Sequence, residues 1–69
     1  MDRYEKIIYW SDVDSKFIVE VPELAGCMAD GDTEEDALRN AEVIVSEWLE
    51  TAEALGREIP TPQGKLMYA

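Results

Sequence analysis

Residues 31–57 read GDTEEDALRNAEVIVSEWLETAEALGR, and this stretch decides the fold. Thr33 stands where a hydroxyl caps the free amides of a helix start, and Asp36, three residues on, takes the reciprocal place in a capping box that Glu usually fills. Glu34, Glu35 and Asp36 put negative charge on the first turn, where the helix dipole favours it. At about 100° per residue, Ala37, Ala41, Ile44, Trp48, Ala52 and Leu55, flanked by Leu38, Val45 and Leu49, share one apolar arc of roughly 140°. Arg39, Glu42, Glu47, Glu50 and Glu53 fall outside it, as a solubilising face would. Gly56 suits a left-handed residue just past the last turn and Arg57 follows the negative end of the dipole, so the pattern predicts a helix of about 23 residues and roughly 35 Å.

Upstream, residues 3–10 are rich in aromatic and β-branched types and lead into the turn-forming run Ser11-Asp12-Val13-Asp14-Ser15, which reads as a strand and a hairpin loop. Residues 16–21 place Phe17, Val19 and Val21 on one face of a second strand, with Lys16 and Glu20 on the other, until Pro22 ends it. A short connection through Gly26 precedes a third strand over residues 27–30, and Gly31 is expected to close it at positive φ. Downstream, Ile59-Pro60-Thr61-Pro62 cannot continue a helix, and residues 64–68 are either a short edge strand or a frayed end. The fold expected is a single α+β domain over residues 1–69, a two-layer arrangement of three or four antiparallel strands under one long helix. A lone helix covers one face of such a sheet. Ile18 points away from it, and Ile7, Tyr9, Ile8 and Trp10 put large apolar groups on both faces. Either a partner, such as a second copy, or the C-terminal tail is therefore needed to cover the second face.

The chain has 69 residues, six Lys and Arg against 16 Asp and Glu, no histidine and a net charge of −10. The cations Arg3, Lys6, Lys16, Arg39, Arg57 and Lys65 are scattered singly, so direct nucleic-acid binding is excluded by the charge balance. No apolar run approaches the roughly 20 residues that span a bilayer, and no leader precedes one, so a cytoplasmic location and no membrane partner are expected. Cys27 is the only cysteine, which rules out an internal disulfide and a thiolate-rich zinc site.

Catalytic and ligand chemistry finds little support. Asp30, Asp32, Glu34 and Glu35 cluster near the strand-to-helix junction, where two divalent ions would need converging carboxylates. Their simpler role is a solvated turn and dipole-complementing charge. Cys27 has no histidine to activate it and suits a small buried hydrophobe. Gly26 and Gly31 match no phosphate-cradling spacing and serve the backbone. No catalytic residue, metal or cofactor is assigned, and Pro22, Gly26, Gly31, Thr33 and Gly56 are structural.

Three linked motifs carry a resemblance. Pro22-Glu23-Leu24-Ala25-Gly26-Cys27, then residues 31–37, then Ile59-Pro60-Thr61-Pro62 are similar in order and spacing to the N-terminal domain of the HicB antitoxins. The usual run there is Pro-Asp-Leu-Pro-Gly-Cys, Gly-Asp-Thr-x-Glu-Glu-Ala, a long helix and an Ile-Pro-x-Pro exit. Glu23, Ala25 and Asp36 depart from it, as does Ser15, where the hairpin often carries Gly. The resemblance implies a β-β-β-α-β unit, a reduced ribonuclease-H-like fold, that binds a small basic HicA-type toxin of double-stranded-RNA-binding-domain type. Such a toxin cleaves mRNA with a histidine, and the antitoxin blocks its site. Many members add a DNA-binding C-terminal domain. This chain stops at Ala69 without one, so operator binding is not expected of it. A surface of net charge −10 would steer a basic partner into encounter, and Tyr9 or Trp10 beside Asp12 and Asp14 would supply the apolar anchor. The alternative is an orphan oligomeric domain with a structural or ligand-binding role and no toxin partner.

Overall fold

A computed structural model describes residues 2–66 and contains β1 (Ile7–Ser11), β2 (Lys16–Glu20), β3 (Met28–Gly31) and α1 (Glu34–Ala54) in that order. The strands form one antiparallel sheet in the order β1-β2-β3, with Trp10 opposite Phe17, Ile8 opposite Val19, and Phe17 opposite Gly31. Residues opposite one another share a face. Ile8, Trp10, Phe17, Val19, Ala29 and Gly31 therefore lie on the side of α1, and Ile7, Tyr9, Ile18, Glu20, Met28 and Asp30 on the other. The observed element is a meander followed by one helix, an α+β fold. A fourth strand is not formed over residues 64–66, and the remainder of that expected segment, 67 and 68, lies outside the described residues.

The helix starts as the sequence requires. Thr33 is extended, and its Oγ1 accepts from the Asp36 amide at 3.0 Å. At the other end Gly56 has φ +68°, its amide donates to Glu53 O at 3.1 Å and the Arg57 amide donates to Ala52 O at 2.8 Å. Those two bonds are a Schellman motif, which satisfies the last carbonyls. The apolar arc lands on the sheet through Ala37, Ala41, Val45 and Ala52, all buried, with Ile44, Trp48 and Leu49 half-buried against the core. Leu55, expected on that arc, is exposed, because the helix has passed the end of the sheet before the chain reaches it.

Small residues set how close the layers come. Val19, Ala37 and Ala41 form one core cluster beneath Ile8, Phe17 and Ala29, where two alanines let the helix sit low on β2 and β3. Gly31 completes this approach, and here the sequence expectation needs correction: its φ is not positive. A Cβ there would stand 2.4 Å from Ala37 N and 2.8 Å from Ala37 Cα and Asp36 C, so glycine is required by the helix backbone lying on it.

A second cluster joins Tyr4, Val21, Leu24, Cys27 and Val45. The connection between β2 and β3 is two consecutive turns, with the Leu24 amide on Val21 O at 3.1 Å and the Cys27 amide on Leu24 O at 2.9 Å. Pro22 presets the first, and Gly26, at φ +72°, takes the positive position of the second. Together they turn Leu24 inward until it is 1% exposed, and Trp48 Nε1 pins the loop by donating to Ala25 O at 3.0 Å. The tail returns to the N-terminal segment and the double turn: Tyr4 Oη donates to Pro60 O, the Leu66 amide donates to Glu5 Oε2 at 3.2 Å and the Gln63 amide to Glu23 Oε2 at 3.3 Å.

Candidate functional site

The meander dictates where charge collects. β1 ends at the hairpin, β2 leaves it, and β3 runs back toward it, so the hairpin tip, the end of β3 and the first turn of α1 share one pole of the domain. Asp12, Asp14, Asp32, Glu34, Glu35 and Asp36 lie there, with Lys16 and Arg39 as the local cations. Lys16 Nζ meets Asp32 Oδ1 at 2.8 Å, and Arg39 reaches Glu35 at 2.8 Å and Asp36 at 3.5 Å. Among the described residues no ion pair reaches Asp12, Asp14 or Glu34, so this pole keeps an unbalanced negative field. The Lys16 ammonium holds the Asp32 carboxyl below the usual carboxylate range, through its hydrogen bond first and its charge second. All these groups face water, so each pair contributes little to stability.

Trp10 stands at the hairpin edge of this pole, on β1. Its ring meets Phe17 edge-on at 5.1 Å and 70°, and its Nε1 donates to Asp12 Oδ1 at 2.8 Å. Those contacts fix the ring although it remains 49% exposed. Asp14 Oδ2 accepts from Ser11 Oγ at 3.0 Å, which orders the loop around Ser15, a residue at φ +52°. The result is an apolar plate beside the hairpin carboxylates Asp12 and Asp14.

The four residues singled out by sequence divide between two faces. Trp10, Asp12 and Asp14 are brought together at the acidic pole. Tyr9 is not with them: it lies on the far face of the sheet, where its Oη donates to Glu20 Oε2, and that bond, with burial and the charge of Glu20, raises its pKa. The sequence assigns Asp32 to a solvated turn and Glu34, Glu35 and Asp36 to dipole-complementing charge, with no link to the hairpin. The antiparallel order of β2 and β3 is the signal that returns them to the hairpin.

The remaining chemistry-bearing groups point elsewhere. Cys27 is 3% exposed, and burial foremost, then the charge of Asp2, pushes its thiol pKa up. No group of three or more His, Cys, Asp or Glu side chains converges as metal ligands among the described residues. A groove of about 470 Å³ runs beside β3, lined by Ile18, Met28, Ala29, Asp30, Val43 and Ile44, with Asn40, whose Nδ2 donates to Asp30 O at 2.8 Å. No helix among the described residues is long and apolar enough to cross a membrane.

The chain is 30% identical over 60 residues to the UPF0150 protein ssl0259 of Synechocystis sp., an alignment spanning 87% of this chain and 82% of that protein. No solved structure matches significantly. The family model described as HicB_like antitoxin of bacterial toxin-antitoxin system matches residues 4–67. That span takes in the meander, the helix and the described tail, and the chain belongs to the HicB-like antitoxin family.

Proposed function

We propose that this chain neutralises a small basic mRNA-cleaving toxin of HicA type by seating the acidic pole on its cationic RNA-binding groove, with Trp10 as the apolar anchor. The observation that carries the reading is Trp10, half-exposed yet held by Phe17 and Asp12, at the hairpin edge of a pole that gathers six carboxylates and two cations. Membership of an antitoxin family supplies the class of partner. Charge supplies the fit, since carboxylates beside an aromatic plate compete with phosphates for the same lysines and arginines. Desolvation of Trp10 gives the complex a centre that salt does not screen.

The role is non-enzymatic. Without histidine, and with its one thiol buried and held neutral, the chain has no group poised for proton transfer near neutral pH. It needs no cofactor and takes no nucleic acid directly. One domain spans the sequence, and it acts in the cytoplasm, where the toxin's mRNA substrate lies.

The test is affinity and rescue. A purified small basic toxin of HicA type is titrated with the protein while RNA cleavage is followed. Wild-type protein stops cleavage at stoichiometric amounts, and W10A/D12N/D14N raises the dissociation constant by about a hundredfold, as the loss of an aromatic anchor and two charges entails. Unchanged affinity in that variant, with its helix content intact, refutes the placement.

A further inference from the structure

Hydrogen bonding fixes which way the backbone of β3 faces. The Val21 amide donates to Cys27 O at 3.0 Å, which makes Val21 and Cys27 a bonded pair that continues the register of β2 and β3. Bonded and non-bonded pairs alternate along an antiparallel ladder, so Val19 with Ala29 and Phe17 with Gly31 are bonded, whereas Glu20 with Met28 and Ile18 with Asp30 are not. Met28 and Asp30 therefore turn their N–H and C=O groups away from β2, toward the outer edge of the sheet. Asn40 Nδ2, which donates to Asp30 O at 2.8 Å, agrees with that direction and occupies one of the four groups. The other three, the two amides and the Met28 carbonyl, have no partner among the described residues.

This edge borders the groove of about 470 Å³ between β3 and α1. Main-chain donors and acceptors repeating every second residue select an extended backbone as occupant, and β3 carries no Pro, Lys or bulge to deter one. The side chains of such a strand are specified as well. Asp30 is exposed, makes no ion pair among the described residues and has no cation beside it in the groove, so a Lys or Arg belongs opposite it. The next residue of the added strand turns to the helix side, where Val43, 54% exposed, and Ile44 call for an apolar group. A second copy pairing edge to edge sets Met28–Gly31 against itself and offers Asp30 no cation.

We propose that the basic toxin adds an extended strand to the outer edge of β3, with a cation opposite Asp30 and an apolar side chain in the groove. The inference rests on the toxin reading and extends it to main-chain recognition. β3 runs into the acidic pole at Gly31, and its strand lies two spacings, about 10 Å, from β1 and Trp10, so one small partner spans both. The strand supplies register and direction, and the pole supplies the attraction that brings the partner in.

The test compares two substitutions at Met28 in binding to a purified small basic toxin of HicA type. Proline is compatible with an edge strand where its nitrogen faces outward, so Met28→Pro removes the outward donor and leaves the ladder to β2 intact, whereas Met28→Ala removes the side chain alone. Met28→Pro should bind at least about tenfold more weakly than Met28→Ala, and Asp30→Lys at least about tenfold more weakly than wild type, with helix content by circular dichroism unchanged. Amide exchange followed by NMR reads the same edge in the wild-type chain, whatever the folding of the variants: the Met28 and Asp30 amides exchange freely alone and slow at least about tenfold in the complex. Toxin binding with these amides still open, or with Met28→Pro equal to Met28→Ala, overturns the added strand and leaves the acidic pole as the contact. Absence of toxin binding overturns both. Protection of the two amides in the free protein, together with sedimentation at twice 7.8 kDa, makes a second copy the occupant and overturns the assignment to the toxin.

Discussion

Gly31→Ala tests the packing that holds the acidic pole together. The added Cβ would stand 2.4 Å from Ala37 N and 2.8 Å from two further backbone atoms, so no rotamer change relieves it. The end of β3 and the first turn of α1 must separate by about 1 Å, which breaks the seal over Val19 and Ala41 and moves Thr33 and the carboxylates after it. Overpacking costs about 1–3 kcal/mol in general, and a clash with backbone on one side and sheet on the other belongs at the upper end, about 3 kcal/mol. A domain of 69 residues has about 3–10 kcal/mol of total stability, so this is a large part of it. The melting temperature should fall by about 12–24 °C. Gly26→Ala is the control, because its φ is +72° but nothing lies within 4 Å of the new methyl, leaving only the left-handed backbone cost of about 1–2 kcal/mol. Urea unfolding followed by tryptophan fluorescence compares the two. If Gly31→Ala loses no more than Gly26→Ala, the account of Gly31 is wrong.

Leu24→Ala opens a cavity between the double turn and Val45 and should cost about 3 kcal/mol by urea unfolding, unlike Pro22→Ala on the exposed side of the same loop. Ser15→Gly removes a side chain from φ +52° and should raise stability by about 0.5 kcal/mol, read as a higher urea midpoint at equal slope. Stability should also fall in alkali. Burial raises the Cys27 thiol pKa above its unfolded value, so its contribution is full below about pH 8.5 and is lost as pH rises through the folded pKa. Cys27→Ala should flatten that part of the pH profile while the Tyr4 part, raised by burial and by Glu23 and Asp2, persists at higher pH.

What sequence could and could not convey follows from the range of the interactions involved. The Thr33 cap, the apolar arc and the Gly56 exit act within a turn or two, so α1 was readable to within a residue or so at either end. Alternation in β2 likewise assigned Phe17, Val19 and Val21 to the helix side. Leu24 and Tyr4 were not readable as core. One is turned inward by two tight turns, and the other bonds Pro60, 56 residues away. At the end of β3 glycine's conformational freedom alone suggests a positive φ for Gly31, whereas its real constraint comes from the helix lying on it. Leu55 continued the periodicity beyond the end of the sheet. At the candidate site, Trp10, Asp12 and Asp14 were legible from the hairpin, but only strand order separates Tyr9 from them and adds the carboxylates of residues 32–36.

The most direct test of the central claim is the affinity of this protein for a purified small basic mRNA-cleaving toxin of HicA type, measured by calorimetry at low and high salt with RNA cleavage followed in parallel. The account predicts tight binding that weakens as salt rises, is lost in W10A/D12N/D14N, and abolishes cleavage at one antitoxin domain per toxin. Absence of binding, or binding indifferent to both salt and the triple substitution, contradicts it.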